Sequence, residues 1–250
     1  MKILVVVPFQ MSPENLELRK SQLLTLKLDA SVQFEYRSVK MGPVNYSSYH
    51  DFVLADVGIF EAACRADKEG FDAVCIDTMS DSGVSALRSV LEIPVIGPGR
   101  TAMLSALMLG DKFSIITMVN RWKPLYKKTI DELGIHAKCA SVRSIEIPAD
   151  NQSLLSGKEE KVFPMLLKAC EQAVSMDGAD VLILGSTTMH QSHAFLQQHL
   201  KVPIINPGPL SYLQAITVHQ ARLTHSINAY PKPMHAQLEI FEKMVKSLIK

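Results

Sequence analysis

The chain carries one set of motifs twice. Gly70-Phe71-Asp72-Ala73-Val74-Cys75-Ile76-Asp77-Thr78 and Gly178-Ala179-Asp180-Val181-Leu182-Ile183-Leu184-Gly185-Ser186 both open on a glycine. Both place an aspartate two residues later, run apolar and finish in small polar residues. Ile93-Pro94-Val95-Ile96-Gly97-Pro98-Gly99 and Val202-Pro203-Ile204-Ile205-Asn206-Pro207-Gly208 share the pattern apolar-Pro-apolar-Ile-x-Pro-Gly. The opening Lys2-Ile3-Leu4-Val5-Val6-Val7 matches Lys112-Phe113-Ser114-Ile115-Ile116-Thr117. The three matches keep their order at offsets of 108, 109 and 110 residues. Self-similarity at a fixed period marks one structural unit used more than once. The 250 residues therefore divide into two like halves, each of domain size.

Within each half, short apolar runs alternate with helical stretches. The run at 3–7 is continuous and rich in β-branched residues, as expected of a strand buried on both faces of a parallel sheet. A helix is predicted over 14–28, with Ser12 as N-cap and Pro13 at the first helical position. Strands follow at 32–39, 73–76 and 94–96, and helices at 51–70, ended by Gly70, and at 82–91. The second half reads as strands at 113–117, 140–147, 181–184 and 203–205, with helices at 124–133, 159–177 and 193–199. Arg100 starts a further helix, and the last two are expected at 210–223 and 235–249. The predicted class is α/β: two pseudo-symmetric Rossmann-like (flavodoxin-like) halves with parallel sheets and an interdomain cleft. Residues 1–98 plus 207–250 are expected to form the first α/β domain, and 99–206 the second.

Composition removes several alternatives. Hydrophobic residues make up 47% and charged residues 20%, with a net charge of +1. No basic run or aromatic-interleaved patch appears, so nucleic acid and anionic membranes are not expected partners. The run at 3–7 is too short for a signal peptide or a membrane span. Cys64, Cys75, Cys139 and Cys170 show no C-x-x-C spacing, which argues against a zinc site or a redox pair and fits a reducing cytoplasm. No Walker or G-x-G-x-x-G pattern is present, so no nucleotide cofactor is expected, and the H-x-x-H pair His190 and His193 alone does not make a metal site.

In parallel sheets of this kind, ligands bind beyond the carboxyl ends of the strands. That rule selects the loops at 8–12, 77–83, 97–100, 118–122, 185–190 and 206–209. With these loops laid out, the chain resembles the hydantoin racemase branch of the aspartate/glutamate/hydantoin racemase superfamily. Asp72-Ala73-Val74-Cys75-Ile76-Asp77-Thr78-Met79-Ser80-Asp81-Ser82-Gly83 is similar to that family's first catalytic loop. Val181-Leu182-Ile183-Leu184-Gly185-Ser186 is similar to its second catalytic strand, which ends Leu-Gly-Cys. Phe113-Ser114-Ile115-Ile116-Thr117 followed by Pro124, and the tail from Leu223 through Tyr230-Pro231-Lys232-Pro233, also resemble family segments.

The resemblance implies a cofactor-independent isomerase acting on a small molecule, often as a homo-oligomer. It also implies two thiols, one from each half, exchanging a proton on opposite faces of a carbon next to a carbonyl. A thiol suits this because its pKa of roughly 8.5 is easily lowered. By the same correspondence Thr78 stands at the first cysteine position and Ser186 at the second. An aliphatic hydroxyl is too weak an acid to take over unaided. Two-thiol racemisation is therefore not expected, and neither is one-thiol decarboxylation.

What remains in the loops suggests a hydroxyl-rich cleft. Thr78, Ser80, Ser186, Thr187 and Thr188 can hold a carboxylate or an enolate oxygen; the plainer alternative is that they cap the following helices. Asp77 and His190 are the candidate proton carriers; alternatively Asp77 orients a histidine or binds a substrate cation or amide, and His190 is an exposed first-turn residue. Asp81 is either a carboxylate in the cleft or the cap of the next helix. Arg121 can grip a carboxylate, Asn120 can donate to a carbonyl, and Trp122 and Tyr126 either cover a planar substrate or simply pack. Phe9 and Gln10 replace an Asn-Pro-Asn-Thr type stretch of the family and point to a less polar ligand. Pro98 and Pro207 read as rigid turns between the halves. The expected function is racemase-like isomerisation of a small carbonyl or carboxylate compound through an enolate-type intermediate. Lyase or decarboxylase chemistry, and non-catalytic binding, stand as alternatives.

Overall fold

The structure is a computed structural model that describes residues 1–150 and 154–248. Two four-stranded sheets, each wholly parallel, carry the chain. The first has β1 (Lys2–Val7), β2 (Gln33–Ser38), β3 (Ala73–Ile76) and β4 (Val95–Ile96), in the order β2-β1-β3-β4. The second repeats it with β5 (Phe113–Thr117), β6 (Cys139–Ser144), β7 (Val181–Leu184) and β8 (Ile204–Ile205), in the order β6-β5-β7-β8. The central strands β1, β3, β5 and β7 are buried almost throughout, which is why they read as unbroken apolar runs. The edge strands β2 and β6 are half-exposed and correspondingly more polar.

The repeated Gly-x-Asp motif has a structural purpose. Gly70 and Gly178 sit at φ +83° and +74°, a left-handed conformation that glycine adopts without steric cost. Asp72 Oδ2 then accepts a hydrogen bond from Lys2 N at 2.7 Å, and Asp180 Oδ2 accepts one from Lys112 N at 3.0 Å. In both sheets the aspartate before the third strand clasps the start of the first strand and fixes the register of the central pair.

The helices are α1 (Pro13–Lys20), α2 (Tyr49–Ala63), α3 (Val84–Arg88), α4 (Pro98–Leu109), α5 (Lys123–Leu133), α6 (Glu159–Ser175), α7 (His193–His199), α8 (Pro207–Gln220) and α9 (Leu238–Leu248). Helix α4 packs on β5 and β7, whereas α8 returns to β3 and β4 and α9 to α2. Helices α4 and α8 also pack on each other and join the halves. Pro98 and Pro207 open these two helices rather than forming free turns. Among the described residues no helix is long and apolar enough to cross a membrane.

Three predicted helices are markedly shorter in the structure, while α6 ends two residues early and α9 starts three residues late. The stretch 14–28 divides into α1 and a 3-10 turn, Ser21–Thr25, because Ser21 Oγ and Thr25 Oγ1 donate to the carbonyls of Leu18 and Gln22 and tighten the winding. Ser12 caps α1 as expected, accepting from Asn15 N at 3.2 Å. Helix α2 stops at Ala63 and a series of turns completes the path to Gly70. Helix α3 starts only after Gly83 at φ +74°. Residue 249, the end of the predicted last helix, and residue 250, the end of the predicted first domain, lie outside the described residues.

Candidate active site

The two loops that leave β3 and β7 meet across a cleft between the sheets. The first half contributes Phe9, Arg19, Tyr46, Asp77, Thr78 and Met79 to its walls. The second contributes Trp122, Leu125, Gly185, Ser186, Thr187 and Thr188. The walls nearly close on one another, leaving a cavity of only about 20 Å³.

Each half brings the same hydroxyl pair. Thr78 Oγ1 lies 3.2 Å from Ser80 Oγ, and Ser186 Oγ lies 2.9 Å from Thr188 Oγ1. In each pair the later residue's backbone N–H points back at the earlier hydroxyl, from Ser80 at 3.5 Å and from Thr188 at 3.2 Å. The first chain continues, with Ser80 Oγ donating to Ser82 Oγ at 2.9 Å. The Tyr46 hydroxyl is buried beside these three hydroxyls without a hydrogen bond to any, and burial pushes its pKa up to about 12. These loops keep their shape partly through Gly185. A Cβ there would meet the Tyr126 hydroxyl at 2.7 Å and the Ile116 carbonyl at 2.8 Å, closer than real contacts allow.

The floor of the cleft is an ion pair. Arg19 Nη1 donates to Asp77 Oδ2 at 3.0 Å, and both side chains are fully buried. The same nitrogen reaches Thr187 Oγ1 at 3.3 Å, and Thr187 Oγ1 in turn donates to the Asp77 carbonyl at 3.2 Å. Gln22 Nε2 donates to the second Asp77 oxygen at 3.2 Å. The Arg19 guanidinium also lies 5.8 Å from the centre of the Phe9 ring, within cation–π range. Charges of opposite sign cancel here, so the cleft offers many hydrogen-bond donors and little net charge.

The structure separates the residues singled out in the sequence. Asp77, Thr78, Ser186, Thr187, Thr188 and Phe9 come together in the cleft. Ser80 is fully buried behind Thr78, outside the lining. Gln10 is exposed and its amide donates to the Lys40 carbonyl. Asn120 and Arg121 are exposed as well, on the 3-10 turn Asn120–Trp122, and do not line the cleft. Side chains in such a turn spread about 120° apart, and the one that turns inward is Trp122, whose Nε1 donates to Asn45 Oδ1 at 3.3 Å. Tyr126 is core rather than cover, its hydroxyl held between Thr117 Oγ1 and the Gly185 carbonyl at 2.7 Å each.

His190 faces away from the cleft. Its Nδ1 lies 3.1 Å from the Thr187 carbonyl and its Nε2 2.9 Å from Ser21 Oγ, on the far side of the 3-10 turn Thr187–Ser192. Burial lowers its pKa, which favours the neutral ring. Asp81 caps a helix, but not the one that follows it in the chain. From φ +50° its carboxylate accepts from Gly99 N at 2.8 Å and Arg100 N at 2.7 Å, at the start of α4. Burial pushes its pKa up to about 6. No cysteine lines the cleft, and burial raises all four thiols: Cys64 and Cys139 to about 11, Cys170 to about 12, and Cys75 higher still.

Arg19, Gln22 and Tyr46 were not legible as site residues. Arg19 sits in a stretch whose charged residues look like a solvated helix face. The available signal was indirect: a carboxylate ending a strand buried on both faces, as Asp77 does, demands a buried cation.

Comparison with known proteins gives the family and the fold. Residues 21–214 match the model of the Asp/Glu/hydantoin racemase family. A hydantoin racemase of Pseudomonas sp. (strain NS671) is 30% identical over 169 residues, spanning 68% of this chain and 67% of that protein. A hydantoin racemase of Rhizobium meliloti is 28% identical over 196 residues, 76% of this chain and 78% of its own. Among solved structures, allantoin racemase from Klebsiella pneumoniae superposes with a TM-score of 0.85 at 23% identity, covering 94% of this chain and 95% of that one. That likeness shows the shared fold. The chain belongs to the Asp/Glu/hydantoin racemase family.

Proposed function

We propose that the protein is a racemase-type isomerase acting on a small carbonyl compound, without cysteine chemistry. The observation that carries this reading is that Thr78 and Ser186, each the first member of a hydroxyl pair, line one cleft from two halves. Thr78 and Ser186 correspond, on this reading, to the two thiol positions of the family. Their hydroxyls and the Arg19 guanidinium hold the carbonyl oxygen of a substrate as it gains enolate character. The curated relatives are named for hydantoins, and a neutral cyclic imide suits a donor-rich cleft of little net charge.

Asp77 is the one carboxylate in the cleft wall among the described residues and is the proton acceptor in this scheme. The Cα–H bond breaks, its electron pair forms the C=C bond of the enolate as the C=O π pair moves onto the carbonyl oxygen, and the proton joins a carboxylate oxygen of Asp77. Return of that proton from Asp77 to the same face restores the starting enantiomer; delivery of a proton from water to the opposite face, with protonated Asp77 giving its own proton up to water, gives the other. The domain boundaries near residues 98 and 207, assembly of several copies, action without a cofactor and a cytoplasmic location belong to the same proposal. The four unpaired cysteines support a reducing compartment.

A second reading rests on a specific observation. Both Asp77 oxygens already accept hydrogen bonds, from Arg19 and Gln22, as they would in a binding protein that only positions its ligand. Proton exchange separates the two. In D₂O, NMR of a hydantoin carrying one α-proton should show that proton lost in the presence of the protein. The Arg19→Met, Asp77→Asn double variant, which removes both buried charges together, should lower the rate by about 100-fold or more. A hydantoin that raises the melting temperature but never exchanges would establish the binder.

A further inference from the structure

The eight arginines divide by their partners. Arg121 and Arg222 are exposed. Of the six that are buried or half-buried, Arg19, Arg37, Arg65, Arg100 and Arg143 each pair with a carboxylate. Arg88, the last residue of α3, pairs with none among the described residues. Its Nε and Nη2 both donate to the Val95 carbonyl, at 3.1 and 2.8 Å, and its Nη1 donates to the Tyr230 hydroxyl at 2.8 Å. The guanidinium carbon lies 5.0 Å from the centre of the Tyr230 ring, within cation–π range. These contacts use three of its five N–H groups and meet no negative charge. Asp81 lies within electrostatic reach, but its carboxylate is spent on Gly99 N and Arg100 N. His225 feels the charge: burial first, and Arg88 second, lower its pKa. A cation drawn half out of water is costly without a counter-charge, and native structures seldom leave one so.

Arg88 stands in the wall of a cavity of about 360 Å³, formed where α4, α8 and residues 224–230 meet. That volume is within the range of small-molecule sites. Arg100, Thr101, Thr224, His225 and Tyr230 share the wall, and no Asp or Glu lines it among the described residues. Glu132 reaches Arg100 from outside this lining. Ile96, Leu104, Met108 and Val218 supply apolar surface. The lining is therefore cationic and apolar at once, unlike the catalytic cleft, whose charges cancel and with which it shares no residue.

We propose that this cavity is a second ligand site, for a small organic carboxylate carrying an apolar chain. The carboxylate supplies the counter-charge that Arg88 lacks. Its oxygens accept from the unused Arg88 N–H groups and from Arg100, the charge-assisted geometry in which guanidinium and carboxylate match best. The Thr101 and Thr224 hydroxyls are donors for the remaining lone pairs. The chain lies against Leu104, Met108 and Val218. A ligand held in this way ties the end of α3 and the first turn of α4 to the segment that carries Tyr230.

The test uses the ¹⁵N-labelled full chain titrated with 4-methylvalerate and with its neutral counterpart, 4-methylvaleramide. Saturable chemical-shift changes centred on residues 88, 95–105, 214–218 and 224–230 are expected with the carboxylate. The amide should bind about tenfold more weakly or worse. Acetate, which keeps the charge and lacks the chain, should also bind about tenfold more weakly. Arg88→Gln should weaken 4-methylvalerate binding by about tenfold. Should the loss of the bonds to Val95 and Tyr230 unfold that variant, two changes at more open positions carry the test. Arg100→Gln should weaken binding by about threefold, and Leu104→Trp, which fills the cavity from an exposed position, should abolish it. No saturable change with the carboxylate, equal binding of the amide, or binding untouched by both Arg100→Gln and Leu104→Trp would overturn the proposal. So would shifts at these residues that appear on raising protein concentration alone, since a second copy would then cover the cavity. None of these readouts depends on isomerase activity, so this site and the proposed function stand or fall separately.

Discussion

Arg19 Nη1 and Asp77 Oδ2 lie 3.0 Å apart with neither side chain open to solvent. One side chain comes from the end of the first helix and the other from the tip of a central strand. Losing one partner of a buried pair leaves the other charge stranded, at a cost of about 3–5 kcal/mol, whereas removing both is often neutral. Arg19→Met should therefore lower stability by that amount in urea denaturation. Arg19→Met with Asp77→Asn should recover most of the loss. If the single and double variants unfold alike, the pair is not the floor of this site.

Restoring thiols at the two hydroxyl positions tests the correspondence with the family. A chain with Thr78→Cys and Ser186→Cys should exchange the α-proton of a hydantoin about 100-fold faster than the parent near pH 8, where a thiolate is accessible. Each single replacement should give much less. The readout is deuterium incorporation by NMR, and two thiols that react with maleimide yet leave exchange unchanged would separate these positions from the chemistry.

Gly185→Ala places a methyl group 2.7 Å from the Tyr126 hydroxyl and 2.8 Å from the Ile116 carbonyl. The strand end has to move, which costs about 1–3 kcal/mol in a packed interior. Thermal unfolding should show the loss. Gly134→Ala is the natural comparison for left-handed strain alone, since that glycine has φ +67° and open space around it.

Asp81 supplies a pH signature. Burial raises its pKa in the folded chain from 3.8 to about 6, so between those values the folded state binds more proton than the unfolded one. Stability from this group is therefore present below about pH 4 and falls as pH rises toward and through 6. Asp51 works oppositely. Hydrogen bonds from Ser47 and Ser48 outweigh its desolvation and lower its pKa to about 2, so its contribution is present above pH 4 and fades toward pH 2. Replacing Asp81 by Asn should flatten the decline between pH 4 and 6 in a series of melting curves. A wild-type minus variant difference that is level across that window would contradict the assignment.

The architecture was legible because it is written in local patterns. Both parallel sheets follow from apolar runs flanked by glycine and aspartate, and Asp72 and Asp180 turn out to do the same work at the same place. The cleft was half legible. Thr78, Ser186 and their neighbours were reachable because a strand's carboxyl end names its own loop. Arg19 was hidden because its role depends on a contact 58 residues away, with Asp77. His190 and Arg121 misled for a related reason: short 3-10 turns decide which way each successive side chain faces, and sequence spacing does not reveal it. Helix ends were similarly obscured where Ser21 and Thr25 bend their own backbone.

Among the described residues no strand of one sheet pairs with a strand of the other. Each ladder closes within its own half, so swinging the halves apart about α4 and α8 leaves every sheet hydrogen bond intact. The bonds that such a motion breaks include side-chain links across the seam, among them Arg19 and the Asp77 carbonyl to Thr187, Ser21 to His190 and Asn45 to Trp122. At about 0.5–1.5 kcal/mol each, these few links oppose such a motion, while the far more numerous ladder bonds play no part in it.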